Sequence, residues 1–219
     1  MCMILLTRSQ DVDFGIAEEA DIDAMAQLLA GVFSRFDPPA VAAGVSFDEF
    51  LELAKSYGRR APDDGLTVIA RLQSTGELIG AMLTDDFASP PPARVEPLAE
   101  HFKPIVALLE GLDQRFRQFH QVTPGRYLHL FLLGVAPEFG GRGIAHTLVR
   151  LTLENGRHKG YERAVTEATG NVSQHIFRNH GFIERFRIPY REFEYNGKCI
   201  FNTIVDHDSV MLLERHLVV

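Results

Sequence analysis

The strongest pattern in the chain is an apolar run that leads through glycines into apolar residues at helical spacing. Residues 127–133 leave no side of a strand to solvent, so the run predicts a buried strand. Farther on, Ile144, Leu148 and Leu151 recur at i, i+4 and i+7, which predicts an amphipathic helix. A strand, a glycine-rich loop and a helix therefore follow one another directly.

The first sixty residues predict one strand and two helices. Residues 14–17 form a short apolar strand, and Asp21 is placed to cap the first helix. Pro38-Pro39 then interrupt the chain, and the capping-box pattern Ser46-Phe47-Asp48-Glu49 opens the second helix. The inward positions are Ile22, Met25, Leu29 and Val32 in the first helix and Phe47, Phe50, Leu51 and Ala54 in the second.

A hairpin and an additional helix precede the central apolar run. Residues 67–72 and 78–84 are apolar segments joined by Ser74-Thr75-Gly76, which predicts a β-hairpin. Residues 89–92 contain three consecutive prolines and exclude regular structure. A long helical stripe follows, and we assign it to an inserted helix around residues 97–120. Its apolar positions are Ile105, Leu108, Leu109, Leu112, Phe116 and Phe119.

The last third of the chain predicts several further strands. Residues 163–168 form one strand, and residues 186–193 and 200–205 form two more around the turn Asn196-Gly197. Residues 210–213 are predicted as the final strand. Alternating helices and strands with late hairpins indicate an α+β fold of three layers, with a mixed sheet covered by helices on both faces.

Composition limits the classes of function. A chain of 219 residues with 46% hydrophobic composition can bury one sizeable core, so residues 1–219 are predicted to form a single domain. The net charge is −7 and no block of like charge exceeds three residues, which argues against nucleic acid as a partner. Cys2 and Cys199 make no disulfide framework, and we find no signal peptide or membrane span. A cytoplasmic protein is expected.

The glycines after the central strand have the placement of an anion site. Backbone N–H groups at the start of a helix have no helical partners and lie at the positive end of its dipole. Gly140, Gly141 and Gly143 would let this backbone approach a pyrophosphate without a Cβ in the way. A P-loop is excluded because no lysine follows Gly143, and the dinucleotide-binding pattern is excluded because its last glycine is missing.

The same stretch resembles motif A of the GNAT superfamily, the GCN5-related N-acetyltransferases. This motif binds the pyrophosphate of acetyl-CoA. Gly140 replaces the usual Arg or Gln, so one charged contact is missing or moved to Arg142. The matching residues are Val135, Pro137, Gly141, Gly143, Ile144 and Ala145.

A second motif extends the resemblance. Residues 171–182 resemble motif B, with Asn171 as the predicted N-cap of a short helix, Gly181 at its left-handed end and Phe177 in the slot of the family's tyrosine. The resemblance implies the GNAT fold, with the cofactor entering where the fourth and fifth strands, residues 128–135 and 163–168, splay apart.

Within the superfamily, the inserted helix and residues 169–174 resemble the arylalkylamine N-acetyltransferase-like branch. The resemblance implies acetyl-CoA as co-substrate, a small primary amine as acceptor, and direct attack without a covalent enzyme intermediate. The N–H of Val135 would polarise the thioester, and Leu133 and Val135 would hydrogen-bond the pantetheine arm. The implied cofactor-binding residues are Leu133, Val135, Gly140, Gly141, Arg142, Gly143, Ile144, Ala145, Asn171 and Phe177.

Several residues are candidates for the proton transfers that amine acylation requires. Asp37 before Pro38 matches the place of the branch's acidic base, and His129 and Glu167 on the two central strands are its rivals. Phe177 cannot supply the proton for the leaving thiolate, so Ser173, Tyr190 or solvent would do so.

Two other functions stay open. The changes at Gly140 and Phe177 are compatible with an acyl-CoA sensor that does not turn over, and a peptide or protein amine is an alternative acceptor. The nine histidines show no metal-binding spacing, so no metal site is expected. A monomer or homodimer is expected.

Overall fold

The fold is built on one sheet whose strands part in the middle. The computed structural model describes residues 4–9, 11–92 and 100–217. Eight strands form the sheet in the order β1-β2-β3-β4-β5-β6-β8-β7, and neighbours are antiparallel except for the parallel pair β5 and β6. The strands are β1 (Ile4–Ser9), β2 (Val12–Ile16), β3 (Val68–Leu72), β4 (Leu78–Asp86), β5 (Tyr127–Val135), β6 (Arg163–Ala168), β7 (Ile183–Pro189) and β8 (Ser209–His216).

Helices cover both faces of this sheet. One face packs against the first five helices, and the other packs against the last two. The helices are α1 (Ile22–Phe36), α2 (Pro38–Ala43), α3 (Phe47–Gly58), α4 (Ala61–Asp64), α5 (Lys103–Phe119), α6 (Ile144–His158) and α7 (Asn171–Asn179). The predicted mixed sheet with helices on both faces is confirmed. In the part of the chain that the structure describes, no helix is both long and apolar enough to cross a membrane.

The parting of β5 and β6 sets the shape of the molecule. These strands pair only from Tyr127 to His129 on β5, although β5 continues to Val135. On its other edge β5 stays paired with β4 to its end, with one extra residue, Phe131, inserted at a β-bulge. A bulge bends a strand and increases its twist, which carries the end of β5 away from β6. The predicted splay between these two strands is therefore present.

A missing side chain lets α6 lie close to the sheet. Gly156 faces β5, and a Cβ at this position would lie 2.5 Å from Cδ2 of the fully buried Leu128. Gly80 on β4 has a similar role, because its Cβ would lie 3.1 Å from Leu148 of α6. Neither glycine has a positive φ angle, so backbone conformation does not explain them. Both serve close packing between α6 and the sheet.

The N-terminal prediction needs correction in two places. The strand predicted at residues 14–17 is β2, because β1 precedes it and pairs with it; the predicted fourth and fifth strands are thus β5 and β6. Asp21 stands at the start of α1, but its side chain does not cap that helix. It accepts instead from the N–H of Glu18, which closes a 3₁₀ turn, and pairs with Arg71.

The C-terminal prediction is wrong at residues 200–205, which form turns and no strand. The strand predicted at 186–193 is β7, which ends at Pro189 and is followed by a 3₁₀ turn. The strand beside β7 is instead β8, which lies between β6 and β7. The apolar residues Phe201 and Ile204 of this segment are buried in the core without belonging to a strand.

Other predicted elements are found with shifted ends. The Ser46 capping box is confirmed, since Ser46 Oγ accepts from the N–H of Glu49 and the Glu49 carboxylate accepts from the N–H of Ser46. Pro38-Pro39 do interrupt α1, but they also open α2. The inserted helix is α5 between β4 and β5, and the part of its predicted range at 97–99 lies outside the described residues.

Two helical glycines make the packing argument testable. Gly156→Ala forces a Cβ into Leu128, so we expect a loss of about 1–3 kcal/mol in the free energy of unfolding despite the better helix propensity of alanine. Gly31→Ala in α1 is the matched control, because its Cβ would meet no atom closer than 4.0 Å. There the propensity gain of about 0.5–1 kcal/mol should dominate. Urea unfolding measures both, and equal stabilisation by the two changes would contradict the account.

Candidate functional site

The loop between β5 and α6 presents backbone N–H groups at the start of a helix. Gly141 and Gly143 have φ angles of +74° and +76°, a conformation that other residues rarely adopt. Gly143 is the N-cap of α6 and provides no side chain, so the N–H groups of the first turn, residues 144–146, have no capping partner. The first bond of the helix runs from the N–H of Thr147 to the carbonyl of Gly143. The loop therefore offers a cluster of free donors.

Gly140 and Arg142 differ from the other predicted loop residues. Gly140 has a φ of −58°, and its N–H donates to the carbonyl of Pro137 at 3.0 Å, so this amide is used within the loop. The Arg142 guanidinium donates to Asp11 at 2.7 Å and lies over the ring of Phe139. The Arg142 hydrogen bond holds the pKa of Asp11 below its usual value. The side chain of Arg142 is thus engaged away from the free amides.

The end of β5 adds main-chain donors to the same region. Ala136 donates its N–H to Ile79, the residue after the first of β4, at 2.9 Å. Because N–H groups alternate between the two edges of a strand, those of Leu133 and Val135 point away from β4, into the gap where β6 has parted. Among the described residues, neither amide has a strand partner on that side.

A cavity of about 710 Å³, which we call the loop cavity, opens in front of these amides. Its walls come from the glycine loop, the end of β5, the end of α1 and the start of α7. The ionisable side chains that line it are Asp37, His146, His175 and His207. The predicted residues Leu133, Val135, Gly140, Gly141, Gly143, Ile144 and Ala145 all line it. Its length and its row of donors suit an extended ligand with an anionic end.

A second cavity of about 410 Å³, which we call the inner cavity, lies on the face of the sheet that α1, α3 and α5 cover. It is enclosed by α1, α3 and α5 together with residues 85–91. Aromatic side chains form much of its wall: Phe33, Phe50, Tyr57, Phe87, Phe102 and Phe131. The two cavities share five lining residues, which are Phe33, Asp37, Leu133, Thr169 and Ser173. They therefore meet at the gap between β5 and β6.

Asp37 lies at this junction. It follows the end of α1 and caps α2, where its Oδ2 accepts from the N–H of Ala40 at 3.0 Å. Its Oδ1 accepts from the hydroxyl of Thr169, just beyond β6, at 2.5 Å. Burial raises the pKa of Asp37 to about 6, although both hydrogen bonds oppose the rise. The carboxylate is therefore fixed in position, and its pKa lies close to neutral pH.

His129 and Glu167 form an ion cluster with Asp85 on the floor of the inner cavity. His129 Nδ1 lies 2.9 Å from Asp85 and its Nε2 lies 2.8 Å from Glu167, so β4, β5 and β6 each contribute one member. Burial alone lowers the pKa of His129, but the charges of Glu167 and Asp85 outweigh it and raise the pKa to about 10. The imidazole is therefore a cation at neutral pH, with both nitrogens donating.

The remaining predicted residues fall in three places. Ser173 lines both cavities, and its hydroxyl donates to the carbonyl of Gly170 at 2.9 Å. Tyr190 is fully buried and donates to the carbonyl of Thr169. Phe177 is buried against Phe182 and reaches the inner cavity, so the structure does not bring it to the loop cavity.

Asn171 is not the N-cap that the resemblance to motif B predicts. The N-cap of α7 is Gly170, and Asn171 is the first helical residue. Its N–H donates to His207 Nδ1 at 3.1 Å and its side-chain amide donates to the carbonyl of Asp206. These bonds tie the start of α7 to the loop before β8, and Asn171 lines neither cavity. The N-cap moved by one residue because the side chain of Asn171 is used by that loop.

Sequence reasoning missed Asp85 and Thr169. Asp85 lies directly opposite His129 in the antiparallel pairing of β4 and β5, which depends on a register shifted by the bulge. The pair Asp85-Asp86 at the end of an apolar strand was the one available signal. Thr169 is found only through its contact with Asp37, 132 residues away. Within the described residues, no group of three or more His, Cys, Asp or Glu side chains is arranged to hold a metal ion.

Comparison with solved structures agrees with this geometry. The C-terminal condensation domain of Ebony, solved with beta-alanyl-dopamine, superposes with a TM-score of 0.85 at 14% identity over 94% of this chain and 98% of that one. Arylalkylamine N-acetyltransferase 2 from Aedes aegypti gives 0.77 at 21% over 95% and 100%. A Drosophila melanogaster polyamine N-acetyltransferase that forms N-acetylagmatine gives 0.72 at 18% over 94% and 100%. These likenesses establish the fold.

The sequence itself establishes the family. The model of the acetyltransferase (GNAT) family matches residues 32–182, which include the end of α1, the inserted α5, the splayed strands, the glycine loop and α7. This range covers more than half of the chain and contains the junction of the two cavities. The chain belongs to the GNAT family of acetyltransferases and is an acyltransferase enzyme.

Proposed function

We propose that this enzyme moves the acetyl group of acetyl-CoA to the primary amine of a small molecule by direct attack, with Asp37 as general base. The observation that carries the proposal is the position of Asp37, a buried carboxylate with a pKa of about 6 where the two cavities meet. A base near the working pH is the most effective proton acceptor. The family supports acetyl-CoA as co-substrate, and so does a Salmonella typhimurium structure solved with acetyl-CoA, which superposes with a TM-score of 0.57 at 14% identity.

The loop cavity fits acetyl-CoA, which supplies the activated acetyl group. In this proposal the free amides of Leu133 and Val135 continue the sheet toward the pantetheine arm, and the Val135 N–H also polarises the thioester carbonyl. The amides of residues 141–145 hold the diphosphate at the start of α6. Gly140 places no side chain beside the diphosphate. Arg142 would have to break its hydrogen bond with Asp11 before its charge could reach the diphosphate.

Asp37 then prepares the acceptor. A free alkylamine has a pKa of about 10.4, so it arrives as an ammonium ion and must lose a proton before attack. The Asp37 carboxylate takes this proton, the amine nitrogen bonds to the acetyl carbon, and the thioester C–S bond breaks. His129 is unsuited to this role, because both of its nitrogens already donate to carboxylates. Glu167 is held by His129 and lies on the floor of the inner cavity.

The proton for the leaving thiolate comes from Ser173 or solvent in this scheme, and the second proton that the acylated nitrogen loses replaces it. Ser173 lines both cavities, and turning its hydroxyl from the Gly170 carbonyl would bring the hydrogen into the gap. Tyr190 is excluded from this role, because its hydroxyl is committed to Thr169 and the residue has no exposed surface. A thiolate with a free pKa of about 8.5 also leaves with help from water.

The shape of the inner cavity favours a small acceptor over a peptide. Residues 85–91 and α5 line the cavity, and its volume of about 410 Å³ suits a small amine. The sensor alternative has less support, because the ordered Asp37 carboxylate at the junction has a catalytic position that binding alone does not require. A cytoplasmic location, where acetyl-CoA and free thiols such as the exposed Cys199 coexist, is part of this proposal.

Asp37→Asn tests the base directly. The amide keeps the size of the side chain but cannot accept the proton, so kcat/KM for thiol release should fall about 10²- to 10⁴-fold. The affinity for CoA, measured by calorimetry, should stay within about twofold because the amides that bind it are unchanged. Asp48→Asn on the exposed start of α3 is the matched control and should change neither quantity. Full activity of Asp37→Asn would remove Asp37 from the mechanism.

The raised pKa of Asp37 predicts a specific pH dependence. Only the ionised carboxylate can act as base, so kcat/KM should rise with pH and level off above about 6. Because the folded-state pKa lies above the unfolded value of 3.8, ionisation destabilises the fold: the cost is absent below about pH 4 and complete above about pH 6. Asp37→Asn avoids a cost on the order of 2–3 kcal/mol.

Melting temperatures at several pH values measure this effect. The advantage of Asp37→Asn over the native protein should grow between pH 4 and 6 and then stay constant. An advantage that is independent of pH would show that Asp37 has an ordinary pKa, and would contradict its assignment as a tuned base.

His129 should remain a cation throughout the working range. Its pKa of about 10 predicts that its ring resonances in NMR spectra stay unchanged from pH 6 to 9. Stability from this ion cluster is complete below the unfolded pKa of 6.5 and is lost as the pH rises through about 10. A ring that titrates near pH 7 would restore His129 as a rival base.

A further inference from the structure

The inner cavity carries more negative charge than one amine can neutralise. Six carboxylates line it, against two cations, Arg117 and His129. Asp37 occupies the junction, while Asp85, Glu167 and Asp113 form a group at the other end of the wall. Asp85 and Glu167 stand on the strands, and Asp113 faces them from α5. These three carboxylates outnumber the two cations that pair with them, so a positive charge on the acceptor would be stabilised there.

The carboxylates of this group have oxygen atoms that remain free. Glu167 is only 8% exposed and uses Oε2 for His129, and its Oε1 has no partner among the described residues. Asp85 is 14% exposed and likewise uses Oδ1 alone. Asp113 gives Oδ1 to Arg117 at 2.7 Å and keeps Oδ2 free. Three acceptor oxygens therefore border the inner cavity, where they can accept hydrogen bonds from a cationic ligand.

The charge of Glu167 acts on Asp113 across the inner cavity. Burial raises the pKa of Asp113, and the charge of Glu167 adds to the rise. A cation placed between them would relieve both effects, because an opposite charge favours the ionised form of each carboxyl. Arg117 does not fill this place: its guanidinium also donates to the carbonyl of Phe87 and lies over the ring of that residue.

Strand geometry gives the distance between the two ends. Glu167 lies on β6 and Thr169 directly follows its last residue, so an extended backbone there places the two residues on the same side, about 7 Å apart. Thr169 holds the Asp37 carboxylate by a 2.5 Å hydrogen bond. A chain of four or five carbons, with single bonds of about 1.5 Å, covers this span between two nitrogen atoms.

We propose that the acceptor is a linear diamine, whose reacting nitrogen lies at Asp37 while its second ammonium lies among Asp85, Glu167 and Asp113. The inference rests on the proposed acetyl transfer and specifies its substrate class. The second ammonium takes no part in the bond changes. It anchors one end of the diamine, and the aromatic wall packs against the methylene groups between the two nitrogens.

The charge balance separates this substrate class from simple amines. Butylamine would fill the same length but leave the three free carboxylate oxygens without donors. 2-Phenylethylamine would suit the aromatic wall and leave the same oxygens unpaired. A diamine satisfies both the apolar wall and the acidic end, so it should be preferred over either monoamine.

The test compares matched amines on the full-length protein. Thiol release from acetyl-CoA is measured with 1,4-diaminobutane, 1,5-diaminopentane, butylamine and 2-phenylethylamine. We expect kcat/KM for the two diamines to exceed that for butylamine at least about tenfold, the effect of one well-placed ion pair. Preference for 2-phenylethylamine, or equal use of butylamine, would overturn the diamine assignment and leave acetyl transfer intact.

Two variants locate the second ammonium. Glu167→Gln should reduce the ratio of diamine to butylamine kcat/KM about tenfold, and Asp113→Asn should reduce it in the same direction without altering the His129 cluster. Glu162→Gln is the control, because Glu162 is exposed outside the cavity and pairs with Arg126. An unchanged ratio in both variants would contradict the placement, and Asp113→Asn decides it if Glu167→Gln fails to fold.

Binding provides a readout that does not depend on turnover. Calorimetry of the CoA-loaded protein should give tighter binding of 1,4-diaminobutane than of butylamine, and this preference should weaken in Asp113→Asn. If no amine releases thiol but the binding preference persists, acetyl transfer is wrong and the diamine site stands. If thiol is released from monoamines and diamines bind no better, the diamine site is wrong.

Discussion

The parting of β5 and β6 is the constraint on which the rest of this structure depends. Backbone N–H groups inside a protein need partners, and beyond His129 the parallel pairing that would supply them stops. The amides of Leu133 and Val135 are left facing a gap, and the glycine loop adds the free amides at the start of α6. This gap joins the two cavities, so a ligand that completes the sheet also arrives at Asp37.

The two carboxylate sites contain similar side chains, but their electrostatic surroundings give them different properties. Asp37 has hydrogen bonds but no cation in contact, and burial raises its pKa into the range of a useful base. Glu167 and Asp85 hold an imidazolium between them through one oxygen each, and both residues also line the inner cavity. One carboxylate is therefore suited to moving a proton and the others to holding a cation, as in other sites where environment separates the roles of acids.

The sequence allowed the fold to be predicted where local pattern decides structure. Apolar spacing predicts the central strand and α6, and the glycines predict the loop between them because its positive φ angles favour glycine. Asp85, the partner of His129 on β4, could not be predicted, because the bulge at Phe131 sets which β4 residue lies opposite His129. Likewise the contact between Asp37 and Thr169 joins two loops far apart in sequence. Residues 200–205 resembled a strand because Phe201 and Ile204 are buried by tertiary packing alone.

Amide hydrogen exchange with and without CoA tests the central claim most directly, because it reports the main-chain donors one by one. The account predicts that CoA slows exchange at Leu133 and Val135 and at residues 143–146, while amides of β4 that are already paired with β5 change little. Unchanged exchange at both places, in a protein that calorimetry shows to be saturated with CoA, would contradict it.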